Sequence, residues 1–376
     1  MEILEKRITD WKQLTHQLGK SFRERAFEND KEGTFVFSNY QDLKEHGYFS
    51  LLVPEELGGK GLSYTEVCEI IRILGHYCGS TALAFSMHQH LVSATMWKYI
   101  HKGEGEPLLR KVADTQMVLV STGARDWIGS NGEMLKVEGG YLFNAKKSFA
   151  SQSAAGDMAA TSAPYLNENG DWKVLHFAVP FTTEGVSVLD DWKVMGMRSS
   201  GSQTIHFKDV FVPESAIALE RPRDEFHPVW NLVITVAMPL IMSAYVGIAE
   251  RAKDLAVKIG KKYRRNKKHM PYILGKLNND LVAAQYQLNA MVDRTNDFDF
   301  GLDVNHTAEM VALKTNVADA CLATVSQAME GLGGQSILTS NELERLFRDV
   351  QASQFHPMPK WDQYVYNGEL MLSGQA

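Results

Sequence analysis

The residue pattern changes period twice along this chain, and that order of signals limits the fold more than any single motif. In residues 1–116 apolar side chains recur at three and four, as at Val67, Ile70, Ile71 and Leu74, the spacing of one buried helical face. From 117 to 225 the pattern shortens to β-rich runs bounded by Gly, Asn or Asp. Met117–Ser121, Gly140–Phe143 and Leu175–Pro180 are such runs, and Gln203–Val210 alternates as a half-buried strand does. Helical spacing returns in residues 226–376, with Leu274, Leu277, Leu281, Ala284, Leu288 and Met291 forming one seam. A second seam runs through Met310, Leu313, Val317, Ala320 and Thr324. Small residues at Ser243, Ala244, Gly247 and Ala249 predict a close helix crossing. The fold class is therefore α+β: an N-terminal helical domain, a central β barrel or sandwich, and a C-terminal helix bundle.

Composition narrows the function. With 44% apolar and 22% charged residues, a chain of 376 residues is ordinary globular protein with room for two or three cores. A net charge of −6 gives no pull toward nucleic acid. Cys68, Cys78 and Cys321 lack CxxC spacing, which argues against a zinc site or a disulfide framework and for a reduced, cytoplasmic protein. No metal site is expected. The first residues lack the apolar core of a signal peptide, and no apolar run reads as long enough to span a bilayer, so no membrane association is expected.

Four segments carry a family resemblance. They are Leu52-Val53-Pro54-Glu55-Glu56-Leu57-Gly58-Gly59-Lys60-Gly61-Leu62-Ser63; Tyr141-Leu142-Phe143-Asn144-Ala145-Lys146-Lys147-Ser148-Phe149-Ala150-Ser151; Met195-Gly196-Met197-Arg198-Ser199-Ser200-Gly201-Ser202 with the following Phe207–Pro213; and the C-terminal Gly333-Gly334-Gln335-Ser336 with Phe347-Arg348-Asp349. In this order and spacing they resemble the acyl-CoA dehydrogenase superfamily, whose fold has the same three-part order and implies a C-terminal four-helix bundle. The resemblance implies a noncovalent flavin, usually FAD, between the β domain and the C-terminal helices. By position it implies that Ser121 and Ser151 meet the flavin ring, that Phe149 walls it, and that Glu330, Gly333 and Gly334 belong to a cofactor site completed across a subunit interface. A homotetramer or homodimer follows from the same comparison.

The family's base is missing. Its usual glutamate falls nine residues after the Arg of the RD pair, where this chain has Pro357; a minority position on the first C-terminal helix is Asn231. Histidine stands nearby instead. His356 precedes Pro357, and His88 and His90 lie on a predicted helix from about Ser80 to Ile100. The Phe355-His356-Pro357 context resembles the two-component flavin monooxygenases of the same fold, in which histidines and a serine on the strand of Ser151 approach the flavin.

Three functions follow. The first is FAD-dependent oxidation of an acyl-CoA or similar thioester, passing electrons to an electron-transfer flavoprotein. The second is a monooxygenase using FMN or another reduced flavin supplied by a reductase, acting on a small-molecule substrate with His356 and Ser151 beside the flavin. The third is a flavin- or acyl-binding protein without turnover. His356 also reads as a base replacing the glutamate, given an imidazole that titrates near neutrality.

Overall fold

The computed structural model describes residues 2–122, 128–263 and 268–374. Residues 123–127 and 264–267 thus lie outside the described residues.

The first part is helical: α1 (Glu2–Glu32), α2 (Phe37–Glu45), α3 (Tyr64–Tyr77), α4 (Gly79–Lys102) and α5 (Glu106–Thr115). The Pro-Gly loop before α3 ends in a capping box. The Ser63 hydroxyl accepts from the Glu66 amide at 3.2 Å, and the Glu66 carboxylate accepts from the Ser63 amide at 2.7 Å. Two donors of the first turn that the helix cannot satisfy are met in this way.

Eight strands follow: β1 (Leu119–Ser121), β2 (Glu133–Val137), β3 (Gly140–Lys147), β4 (Met158–Leu166), β5 (Trp172–Pro180), β6 (Val186–Val188), β7 (Ile205–Pro213) and β8 (Leu219–Pro222). Among the described residues they form two four-stranded sheets, ordered β1-β4-β5-β8 and β2-β3-β7-β6, with the β1–β4 pair parallel and the other pairs antiparallel. Alternate residues of each sheet meet in one core. Phe143 of β3 packs edge-on to Phe177 of β5 at 4.9 Å and beside Phe207 of β7 at 4.7 Å. The domain is a sandwich in the sense the alternation predicted.

The C-terminal part is α6 (Val229–Tyr263), α7 (Met270–Thr295), α8 (Val304–Leu332), α9 (Glu342–Val350) and α10 (Lys360–Leu372). Three long helices carry the bundle, and two short ones complete it. The seam Leu277, Leu281, Ala284, Leu288 and Met291 is buried as expected. On α8 the buried stripe falls at Val311, Lys314, Ala318, Cys321 and Val325 as well as Met310 and Val317, and Leu313 and Ala320 lie at its edge.

Helix α6 corrects one expectation. By length and mean hydropathy (2.1) Val229–Lys262 passes as a membrane-crossing segment, yet 94% of that window is buried inside the protein. It lies against α3, α4, α7 and α8. The α3–α6 crossing is close because a Cβ on Gly75 would sit 2.3 Å from the Ala244 carbonyl, and one on Gly247 only 2.1 Å from the Arg72 carbonyl.

Two of the sequence motifs meet in space. A Cβ on Gly196 would lie 2.0 Å from the Arg348 carbonyl, and the Met197 amide donates to the Asp349 carboxylate at 2.6 Å. Arg348 reaches across to α1, with paired contacts to Asp30 at 3.0 and 2.6 Å. The RD pair therefore ties α9 to the β domain's 195–202 loop and to the first helix.

Candidate active site

The site is built where α4, the 195–202 loop, α6 and the segment after α9 come together. Ser80 of α4 lies against Met197, and Gly79 faces Ile248 of α6.

Beyond β3 the backbone turns sharply. Phe149 and Gln152 both have positive φ, at 60° and 61°. Side chains disfavour this region, so contacts must hold it. Gln152 provides them: its side-chain Oε1 accepts from the Tyr40 hydroxyl at 2.6 Å, its Nε2 donates to the Leu119 carbonyl at 2.8 Å, and its backbone N–H donates to the Ser200 carbonyl at 2.9 Å. The turn leaves Phe149 52% exposed, with Trp192 edge-on at 5.8 Å. An aromatic ring held open in a constrained turn is an unusual use of apolar surface, and it suits a flat ligand. Ser151 is buried beneath it. Its hydroxyl accepts from Ser202 at 2.9 Å, and Ser202 in turn bonds Ser200 at 2.7 Å. Because Ser151 accepts within this chain, its own proton is left to donate elsewhere. Ser121 ends β1 and is half-buried. These residues fit a flavin ring in kind: an apolar wall beside a hydroxyl donor.

The histidines differ. His88 is fully buried and spends both nitrogens on backbone. Nε2 donates to the Phe49 carbonyl at 2.8 Å, and Nδ1 accepts from the Leu119 amide at 3.1 Å. Burial pulls its imidazole down to about 3. The expectation of a catalytic His88 is corrected here: it is a clamp between α4 and β1 with no nitrogen to offer. His90 lies eleven residues after Gly79, almost three whole turns, and so shares the α6-facing stripe. It is buried, its Nδ1 has no hydrogen-bond partner among the described residues, and burial lowers it to about 4, opposed by the Ser86 carbonyl one turn back.

His356 follows the turn after α9. Its Nε2 lies 2.6 Å from the hydroxyl of Tyr245 on α6. Its carbonyl accepts from the buried Lys314 ammonium at 3.0 Å, and the Met358 carbonyl accepts from the same ammonium at 3.2 Å. Burial, then the nearby Lys314 charge, holds the imidazole to about 3. The expectation of an imidazole poised near neutrality is therefore corrected toward the uncharged form. Burial also lowers Lys314, to about 8. Sequence reading missed Tyr245 and Lys314, each of which resembles an ordinary member of a helix seam.

Neither place where the family carries a carboxylate has one. Asn231 is buried and accepts from the Thr307 hydroxyl at 2.7 Å, and Pro357 has no acid group to offer. Glu330, Gly333 and Gly334 stand at the far end of α8 from the Lys314–His356 contact. Glu330 lies sixteen residues beyond Lys314 on α8, roughly 24 Å along the axis.

Comparison with known proteins agrees with this architecture. The acyl-CoA dehydrogenase N-terminal domain profile matches residues 14–115, and the C-terminal domain profile matches residues 240–361. The chain belongs to the acyl-CoA dehydrogenase superfamily. Within it, YdbM of Bacillus subtilis (strain 168), named provisionally as an acyl-CoA dehydrogenase, is 26% identical over 368 residues, 92% of each chain. A pigment production hydroxylase of Rhodococcus sp. (strain ATCC 21145) is 26% identical over 367 residues, 93% of this chain and 92% of that one. Among solved structures, FMN-bound TdsC of Paenibacillus sp. A11-2, a dibenzothiophene monooxygenase, matches with a TM-score of 0.83 at 19% identity, covering 97% of this chain and 98% of TdsC. At that identity the superfamily fold is what the two share.

Proposed function

We propose that the protein is a reduced-flavin-dependent monooxygenase that acts on a small aromatic or heteroatom-bearing molecule. The observation that supports this reading is the pairing of His356 with Tyr245, next to Pro357, the position at which the resemblance expects the family's carboxylate. Removing a proton from the α-carbon of a thioester needs a base opposite the flavin. Pro357 and Asn231 supply none, and an imidazole held to about 3 is a weak substitute. Thioester oxidation, the superfamily's default, retains the likeness to YdbM as its support. The hydroxylase and the dibenzothiophene monooxygenase speak for oxygenation.

FMN is the flavin we assign, supplied reduced by a separate reductase, because the matching structure of TdsC holds FMN. Reduced flavin, when bound, would supply the two electrons that let dioxygen give one oxygen atom to the substrate and the other to water, the flavin ending oxidised. The protein's share is positional. Phe149 would wall the ring, and Ser151 has a spare proton to donate to it. His356 and His90 offer neutral imidazoles, which hold a proton without placing a fixed negative charge beside the oxygen. The three cysteines are free and buried, in keeping with the expected cytoplasmic location.

The test is direct. Protein is mixed anaerobically with reduced FMN, exposed to oxygen, and assayed for oxygen incorporation into indole or dibenzothiophene as probes. Reduced FMN should bind, and oxygen consumption should depend on the protein. Bleaching of bound oxidised flavin by an acyl-CoA, with no need for oxygen, would overturn the proposal in favour of dehydrogenation.

A further inference from the structure

The Tyr245 hydroxyl is fully buried on α6, and among the described residues its one hydrogen bond is to His356 Nε2 at 2.6 Å. A buried phenol that keeps its proton must donate it, since an unmet buried donor is costly. Burial, then the Asp349 carboxylate and Cys321, hold that proton on Tyr245 well above the usual phenol range. The acceptor at hand is Nε2, and an imidazole nitrogen that accepts carries no hydrogen.

We propose that Tyr245 is a positioning residue that locks His356 as the Nδ1–H tautomer, making the ring a hydrogen-bond donor toward the reacting ligand rather than a proton acceptor. Its relevance to catalysis rests on the oxygenase reading above; the tautomer itself does not. The surrounding groups all favour this state. From α8, the Lys314 ammonium bonds the His356 and Met358 carbonyls and opposes a second proton on the ring. From α9, Asp349 is engaged by the Met197 amide, and the Cys321 thiol of α8 is held protonated by burial. Nδ1 makes no hydrogen bond with any described residue, and His356 retains partial exposure, so the free N–H has somewhere to go. The arrangement inverts that of His88, where the backbone fixes the Nε2–H form. The protein thus holds two neutral histidines of opposite tautomer on either side of one domain junction.

The experiment is nitrogen-15 solid-state NMR of the whole protein, labelled selectively at histidine and prepared without flavin or substrate. The twelve histidines are sorted by the signals lost in His356→Asn. The expected result is a protonated Nδ1 and an unprotonated Nε2 at pH 7. In Tyr245→Phe, loss of a hydrogen bond worth on the order of 1 kcal/mol should move the tautomer ratio about fivefold toward Nε2–H. A wild-type Nε2–H ring overturns the proposal outright, and this reading needs no variant to fold. A folded Tyr245→Phe protein with an unchanged ratio also overturns it, because the tautomer would then have another cause. Neither outcome depends on flavin, so a failed tautomer leaves the oxygenase reading standing, and a failed oxygen assay leaves the tautomer standing.

Discussion

At the scale of single residues, the two members of the Met87–His90 run separate by role. His88→Ala breaks two buried hydrogen bonds to backbone and should cost roughly 2–4 kcal/mol, from two unmet partners at about 1–3 kcal/mol each less relaxation, seen as a lower unfolding midpoint. His90→Ala should instead lower turnover while leaving the midpoint within a few degrees. His356→Ala should reduce turnover by roughly 10²–10³-fold, the usual cost of losing one positioned hydrogen-bond donor, with flavin affinity nearly unchanged. Turnover at wild-type level in His356→Ala, with oxygen incorporation as the readout, would return this residue to a purely structural role. Asp349 gives a test by pH. Burial raises its carboxyl to about 6 against Arg345, so the native protein binds a proton there that the unfolded chain releases near pH 4. Stability from this group is present below about pH 4 and is lost as pH rises through about 6. Asp349→Asn keeps an acceptor for the Met197 amide and should flatten that decline, as read from urea midpoints between pH 4 and 7.

Among the elements, the helices were largely legible and the site much less so. The seams of α7 and the small-residue stripe of α6 show in sequence because a 3.6-residue period needs only neighbours a few positions away. Gly247→Ala should separate α3 from α6 and cost roughly 1–3 kcal/mol, the usual penalty for overpacking. A variant as stable as wild type would mean that the crossing is looser than its geometry implies. Phe149 and Ser151 were placed by resemblance, yet the positive φ that opens the Phe149 ring depends on Gln152 reaching Tyr40, 112 positions away. Tyr245 meets His356 across 111 positions, and Lys314 meets the His356 carbonyl across 42. No local period encodes such meetings. A lysine or tyrosine in a seam reads as an edge residue until its distant partner is seen. His88 and His90 are two positions apart, and only the packing of α4 shows which one has a nitrogen free.

For the whole molecule, the outer surface carries apolar residues that a lone chain leaves in water. On α10 these are Trp361, Tyr364, Val365, Met371 and Leu372, and Ile337 and Leu338 follow the glycine pair at the end of α8. Such a surface is expected to be covered by self-association. Light scattering should give a mass two or four times that of one chain, and Trp361→Glu should lower it. If the glycine-pair loop completes a cofactor site across subunits, weaker flavin binding should accompany the smaller mass. A protein that stays monomeric yet binds flavin fully would remove Glu330, Gly333 and Gly334 from the cofactor site.

The apolar wrapping of α6 has a consequence for how the chain is made. Helices α3 and α4, which cover part of it, precede it, while α7 and α8 follow. As synthesis proceeds, a segment with the hydropathy of a bilayer anchor therefore emerges before half of its cover exists. Until α8 leaves the ribosome, the nascent chain exposes a surface that chaperones and the insertion machinery would also recognise. A chain cut after α6 should sediment or partition into membranes, whereas one carrying α7 and α8 should not.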